Sequence, residues 1–342
     1  MNRPPIYDSP FAVYLEVTNT CNLQCRHCYM SDSSDTKKEP LRVDEILSVI
    51  DQLDIMNVID VILTGGEPLL REHIFDIVKY CSQKGIRSSL TTNGIEIDEA
   101  VVIGLKESGI NTVTVSIEGI TGSVNDTIRG KGNLKRAIRG LDLLLLYEMN
   151  AEVEITLRRS NIEEIPAMIR FFREKGVSRV QINRIVTTGR GIRMQDYTRE
   201  EYTRIGSLLS EIIKTYGDYV HLNPTLRLCT SITEECHSNM EKTACGAGFS
   251  FCGIMWNGDV VPCLLMRDIF LGNVKKTFFS EIWKFSPLLR SFRNAFADPH
   301  DTGMVLCCSC SHEASCGRGC RAQAYHTYGS YTHPDPFCEI WK

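Results

Sequence analysis

This 342-residue chain is short of several things that would narrow its function at once. It has no excess of basic charge. Its 38 Lys and Arg stand against 42 Asp and Glu, a net charge of −4, so it carries no electrostatic footprint for nucleic acid. It has no long hydrophobic run either. No run is longer than that of residues 143–147, which is far below a bilayer span, and the opening MNRPPIYDSP lacks the apolar core of a signal peptide. Neither a nucleic-acid nor a membrane partner is expected, and the expected location is the cytoplasm. Composition that is 43% hydrophobic and 23% charged excludes disorder and fibrous repeats. What the chain has in excess is cysteine, 15 residues. An odd count in a long chain without an export signal points away from disulfides and toward metal sites.

Up to about residue 216, strand-like and helix-like segments alternate. Short aliphatic and β-branched runs predict strands over 11–17, 58–63, 87–92, 112–117, 151–157 and 180–183. Apolar residues at helical spacing predict helices over 43–55, 74–84, 98–108, 134–147, 162–175 and 199–216. Gly85, Gly109 and Gly176 follow helix ends, where a left-handed cap is wanted. Six successive β/α units imply a parallel sheet, and six are too few for a closed eightfold barrel. The expected fold is α/β: a partial (β/α)6 TIM-like barrel over residues 1–216, with its chemistry where the strands end. Residues 217–244 are polar and irregular and read as a linker. Residues 245–342 hold nine cysteines, dense Gly and Pro, and one helix-like stretch near 271–292. They are expected to form a small loop-rich domain whose folding draws on bound metal.

The first expected strand runs into Cys21-x3-Cys25-x2-Cys28, followed by Tyr29. Three thiolates in so short a loop can reach one metal centre. Zinc would need a fourth ligand, for which His27 is the local candidate. A [4Fe–4S] cluster with three protein ligands would keep one iron open to a small molecule. Spacing alone leaves both readings standing.

In this position CNLQCRHCY resembles the signature of radical S-adenosylmethionine (SAM) enzymes, and later strand ends carry residues similar to that family's other elements. Thr64-Gly65-Gly66-Glu67-Pro68 resembles the GGE motif, which implies contact with the SAM amino group. Thr92 and Asn93 close the third strand. Ser116 and Glu118 close the fourth, with Glu118 standing where the family usually has Asp. At the fifth strand end, Arg158 or Arg159 resembles the arginine that meets the SAM carboxylate, and Arg158 is preferred. The resemblance covers residues 10–215. It implies a [4Fe–4S] cluster on Cys21, Cys25 and Cys28, SAM on its open iron beside Tyr29, and cleavage to a 5′-deoxyadenosyl radical that abstracts hydrogen from a substrate.

Downstream, Cys245-x12-Gly258-x4-Cys263, then Cys307-x2-Cys310-x5-Cys316-x3-Cys320 and a last Cys338 resemble the seven-cysteine SPASM domain of radical SAM enzymes. Paired zinc knuckles are the alternative. The resemblance implies two auxiliary [4Fe–4S] clusters, three clusters in all. The first would take Cys245, Cys263 and Cys320, with Cys252 the candidate fourth ligand. The second would take Cys307, Cys310, Cys316 and Cys338. Cys308 is expected to point away from its neighbour's cluster, Cys229 and Cys236 to be plain thiols, and Cys81 to be core.

For substrate, the family implies modification of a ribosomally made peptide or protein by crosslinking, epimerisation or oxidation. Leu264 follows Cys263 where sulfatase-maturating relatives carry Asp, which argues against serine or cysteine oxidation. The alternative is tetrapyrrole side-chain chemistry, suggested by Thr188-Gly189-Arg190-Gly191, the segment 317–325 and Asp335-Pro336-Phe337-Cys338. His221, His312, His326 and His333 are expected to be structural or surface residues. Expected partners are a peptide or small-molecule substrate and a flavodoxin or ferredoxin electron donor. Only about ten residues precede the first strand, so leader-peptide recognition is expected from a separate binding protein or from the barrel itself. Outside enzymology stand a zinc-binding protein and an electron-transfer protein without SAM chemistry.

Overall fold

The computed structural model describes residues 6–32, 38–194, 197–223, 226, 245–297, 307, 310, 316 and 318–338. One sheet organises them. Its parallel strands, adjacent in chain order, are β1 (Ala12–Thr18), β2 (Asp60–Gly65), β3 (Arg87–Thr92), β4 (Thr112–Ser116), β5 (Ala151–Leu157), β6 (Arg179–Arg184) and β7 (Val220–Leu222). The helices that return the chain are α1 (Val43–Ile55), α2 (Ile74–Gln83), α3 (Glu99–Ser108), α4 (Gly122–Arg129), α5 (Asn133–Leu146), α6 (Ile165–Lys175) and α7 (Arg199–Tyr216). Gly85, Gly109 and Gly176 all adopt left-handed φ values, 71°, 84° and 88°.

In the barrel, two elements depart from the sequence expectation. The stretch read as linker from 217 opens with a 3-10 turn and then β7, three residues too few to display a period. α4 is short and mostly polar, so no apolar repeat announces it.

Alternation along the strands sorts the sheet into two faces. Val153, Ile155 and Leu157 of β5 are fully buried, as are Val61, Leu63, Leu90, Val113, Val115, Val180 and Ile182 of its neighbours. They pack against Ile46, Ile50, Ile77, Leu105, Ile169 and Phe172 from the helices. The alternate positions are mostly polar: Thr64, Thr91, Ser116, Glu152, Glu154, Gln181 and Asn183, with Ile62 the apolar exception on β2. Parallel strands covered by apolar layers on both faces read as continuous hydrophobic runs. These strands alternate, so the face away from the helices suits a polar occupant.

The C-terminal part grows out of the same sheet. β8 (Phe251–Ile254) pairs in parallel with β1, from Ala12 opposite Phe251 to Leu15 opposite Ile254. β9 (Asp259–Val261) and β10 (Gly272–Asn273) continue antiparallel. The result is an open sheet in the order β10-β9-β8-β1-β2-β3-β4-β5-β6-β7, a partial barrel with a smaller C-terminal portion. The single helix expected over 271–292 is two, α8 (Phe279–Phe285) and α9 (Pro287–Ala297). Pro287 forbids helical geometry at Ser286, whose ψ is 120°, and then serves as the first residue of α9. α10 (Arg321–Tyr328) follows Cys320. Among the described residues no helix is long and apolar enough to cross a membrane.

Candidate active site

β1 ends at Thr18, and the loop that follows carries Cys21, Cys25 and Cys28. Cys21 is exposed, and the other two are half-buried. The end of β2 packs directly against this loop. Gly66 N–H donates to Thr18 O at 2.9 Å and Glu67 N–H to Thr20 O at 2.8 Å. A Cβ on Gly66 would stand 2.1 Å from Thr20 O, so only glycine allows this approach. Glu67 is fully buried. Its carboxylate accepts from Thr92 Oγ1 at 2.7 Å, Asn93 N–H at 2.8 Å and Leu69 N–H at 3.1 Å, while burial pushes its pKa up. Asn93 then donates through Nδ2 to Asn22 Oδ1 in the cysteine loop, at 2.7 Å. Gly66, Glu67, Thr92 and Asn93 are thus brought together, with both Glu67 oxygens engaged by protein donors.

The segment after β6 closes the loop from another side. Arg190 donates to Cys28 O from its backbone at 3.0 Å and to Cys25 O from Nε at 2.8 Å. Gly189 has φ 56°, and a Cβ there would meet Cys28 O at 2.4 Å. The Thr188–Gly191 motif therefore has a local structural reason: it buttresses the cysteine loop.

Electrostatics converge on the same place. Arg129, at the end of α4, reaches Cys25 Sγ at 3.9 Å from Nη1 and Glu118 Oε1 at 2.6 Å from Nη2. Glu118 is fully buried, and its Oε2 accepts Thr156 N–H at 2.8 Å. Burial pushes its pKa up, but Arg129 and His27 outweigh that and hold it below the usual carboxylate range. His27 Nε2 lies 3.5 Å from Glu118 Oε1, and burial drives the imidazole pKa down to about 4. Burial also raises the Cys25 thiol, against the pull of Arg129. Ser116 is buried at the end of β4. Arg158 is 6% exposed, with Nη1 3.2 Å from Met194 Sδ, and its charge acts on His27. Arg159 is exposed and pairs with Glu201 on α7. The two arginines thus separate cleanly.

In the C-terminal part, Cys245, Cys263 and Cys320 are brought together. The charges of Cys245 and Cys320 act on the Cys263 thiol, and burial raises all three. Cys252 is elsewhere. It faces Val13 in the β1–β8 register, fully buried in the apolar layer, with Arg293 as its charged neighbour. The family resemblance offered it as a fourth ligand; in the structure it shares a strand face with Ile254 and pairs with Val13.

Cys307, Cys310, Cys316 and Cys338 are half-buried, and Cys310 N–H donates to Cys307 O at 3.2 Å. Cys81 is core, its thiol raised to about 12 by burial. Cys229, Cys236, Cys308, His312 and Gly317 lie outside the described residues. Of the other histidines, His221 is exposed on β7, and His326 places Nε2 2.6 Å from Leu265 O. A buried ion pair links the two parts: Arg267 Nη2 meets Glu16 Oε2 at 3.1 Å, and its guanidinium lies 5.7 Å over the Tyr29 ring.

Comparison with known proteins bears on this arrangement. The family model of the radical SAM superfamily matches residues 15–183, and that of an iron-sulfur cluster-binding domain, SPASM, matches residues 245–321. The mycofactocin maturase MftC of Mycobacterium ulcerans is 31% identical, over 97% of this chain and 88% of its own. The chain belongs to the radical SAM superfamily. An AdoMet-dependent heme synthase of Methanosarcina barkeri is 28% identical over 97% of each chain. Streptococcus suis SuiB, solved with bound S-adenosylmethionine, shares the fold with a TM-score of 0.77 at 18% identity, over 98% of this chain and 78% of SuiB.

This radical SAM enzyme with a SPASM domain implies iron–sulfur clusters and SAM, and its residues fit them. The N-terminal loop offers three thiols, an approaching guanidinium, a His27 Nδ1 that is buried without a hydrogen-bond partner, and glycine-lined backbone at Gly66 and Gly189. Among the described residues no three His, Cys, Asp or Glu side chains stand at the spacing of a single ion. A cluster asks for less crowding, because each thiolate binds its own iron. Sequence reasoning missed Arg129 and Arg184, and met Asp335 only as part of a motif, without its partner. Arg129 sits on the unannounced α4, and the other two pair across 151 residues, a distance that leaves no local signal.

Proposed function

We propose that this enzyme reductively cleaves SAM and abstracts hydrogen from a ribosomally made peptide or protein, producing a crosslink, an epimer or an oxidised residue. The observation that carries the SAM-cleaving part is the convergence of three strand ends and Arg129 on a cysteine loop whose first thiol stays exposed. Bound there, cluster and SAM would supply the 5′-deoxyadenosyl radical.

The chain's own residues do the rest. Cys21, Cys25 and Cys28 hold the cluster, and Arg129 favours the Cys25 thiolate by its charge. Gly65, Gly66, Glu67, Thr92, Asn93, Ser116, Glu118 and Tyr29 surround the SAM site, with Glu67 and Glu118 acting through the groups they hold. Arg158, the inward-facing arginine, takes the SAM carboxylate, for which a planar guanidinium is suited. The protein orients the reactive group and keeps water away from it.

In this reading there are three [4Fe–4S] clusters. The position of Cys252 leaves the first auxiliary cluster with Cys245, Cys263 and Cys320, hence one iron free for another ligand. The second takes Cys307, Cys310, Cys316 and Cys338. The barrel extends beyond residue 216 to include β7, and the auxiliary domain runs over 245–342. A flavodoxin or ferredoxin delivers electrons in a reducing cytoplasm, and a separate protein presents the leader peptide.

Tetrapyrrole modification is the second reading, favoured by the heme synthase relative of matching length. Against it stand Glu152 and Glu154 on the polar face of the sheet, which disfavour a substrate rich in carboxylates. The MftC relative favours the peptide reading.

The test begins with anaerobically reconstituted, reduced protein and SAM. About 12 iron atoms per chain and formation of 5′-deoxyadenosine are expected, with the product lost in Cys25→Ala. Fully loaded protein that forms none would sink the proposal. Mass spectrometry of a candidate precursor peptide and of an iron porphyrin, each incubated with the enzyme, then separates the two substrate classes.

A further inference from the structure

Asp335 is 2% exposed and engaged on every side. Its Oδ2 accepts Cys320 N–H at 2.7 Å and Arg184 Nη2 at 2.9 Å. Its Oδ1 accepts Phe337 N–H at 3.0 Å and Arg184 Nη1 at 3.2 Å. Its backbone carbonyl accepts Cys338 N–H at 2.8 Å. Gly319, just before Cys320, fits because it has no side chain: a Cβ there would lie 2.5 Å from Asp335 Cβ.

Arg184 closes β6 with its guanidinium 5.0 Å from the Phe337 ring centroid and 5.9 Å from that of Tyr202. A buried ion pair is weak evidence for stability, because desolvation offsets most of its attraction. Here it has a more specific consequence. The carboxylate orders the backbone of Cys320 and, through the turn it begins, that of Cys338.

We propose that the Arg184–Asp335 pair is a shared positioning device for both auxiliary clusters. It holds one ligand of each, Cys320 and Cys338, and ties both to barrel strand β6. The inference rests on the auxiliary-cluster assignment above. A second tie runs in parallel: Gln323 on α10 donates from Nε2 to Thr187 Oγ1 at 2.8 Å, and its Oε1 accepts Thr187 N–H at 3.2 Å. Thr187 immediately precedes the Thr188–Gly191 segment that buttresses Cys25 and Cys28. The ligands of all three clusters are therefore braced from one strand end, and a change at Arg184–Asp335 moves both auxiliary clusters together.

The test uses the full-length protein with Cys21, Cys25 and Cys28 all changed to Ala, so that only auxiliary clusters contribute. About eight iron atoms are expected in this parent. Adding Arg184→Gln and Asp335→Asn removes both charges at once and leaves no lone buried charge. Cys320 and Phe337 donate to different carboxylate oxygens, and Asn puts an NH2 donor where one of those acceptors stood.

Both electron paramagnetic resonance signals and both midpoint potentials should shift, and a chelator should strip iron about tenfold faster. Circular dichroism of the metal-free form checks the fold. If the double change fails to fold, Arg184→Lys and Asp335→Glu are read by the same criterion. Two unchanged signals, or a change confined to one cluster, overturn the shared role. A parent without auxiliary iron overturns the cluster assignment instead, so the two failures are told apart.

Discussion

Cys21 and Cys320 are both expected cluster ligands, and they occupy opposite surroundings. Cys21 is exposed on a loop, its sulfur accepting Leu23 N–H at 3.4 Å. Cys320 is 3% exposed, its sulfur caps α10 by accepting Gln323 N–H at 3.4 Å, and its own N–H is held by a buried carboxylate. The first arrangement is shaped by neighbours, through glycine-lined backbone and a guanidinium, and stays open. The second is built into secondary structure and closed. In the proposed reading the first must admit a small molecule, and the second anchors an auxiliary cluster to the fold. Glu16, Arg267 and Tyr29 connect the two regions.

The largest expected contrast is chemical. In the metal-free native protein, iodoacetamide should label Cys21 at least about 100-fold faster than Cys81 or Cys252, because only exposed thiolate reacts. Both slow thiols are fully buried, with pKa values pushed well up. Peptide mapping over a time course reads this directly. Labelling of Cys252 as fast as Cys21 would break the comparison and return Cys252 to the ligand set.

A smaller effect separates the regions by stability. In metal-free protein, Cys320→Ala deletes a buried helix cap and should cost about 1 kcal/mol. Cys21→Ala, on an exposed loop, should stay within about 0.5 kcal/mol. Urea midpoints at constant slope measure both. Equal losses would mean that the closed and open sites do not differ before metal arrives.

What was legible in the sequence follows the same division. The six β/α units and their glycine caps were readable because burial imposes a period on each segment, as at Ile165, Met168, Ile169 and Phe172 of α6. β7 was not, since Val220–Leu222 is too short to repeat. The cysteine loop and the glycines of β2's end were readable because adjacent residues carry them. Arg129 and the Arg184–Asp335 pair were not, because the partners meet only in three dimensions. Cys252 was legible only through the family resemblance, and its place opposite Val13 in the apolar layer needed the strand register to be seen.

The smallest effect concerns the polar wall between the two regions. Glu154 on β5 accepts from Asn183 and stands near Glu118, Glu152 and Arg129, while its charge and that of Cys263 both act on Tyr14 across the sheet. Burial, then the charge of Glu118, raises its pKa from 4.5 to about 7. In the range between those values the folded state holds a proton that the unfolded state has released. This contribution to stability is therefore full below about 4.5 and is lost as pH rises through about 7. With relaxation around the half-buried side chain, the loss should be on the order of 1 kcal/mol. Glu154→Gln removes it, so the variant should gain on the parent between pH 5 and 8 in urea unfolding. A difference that runs the other way would mean that Arg129 governs Glu154 as it governs Glu118, making this wall an extension of the cation-held open site.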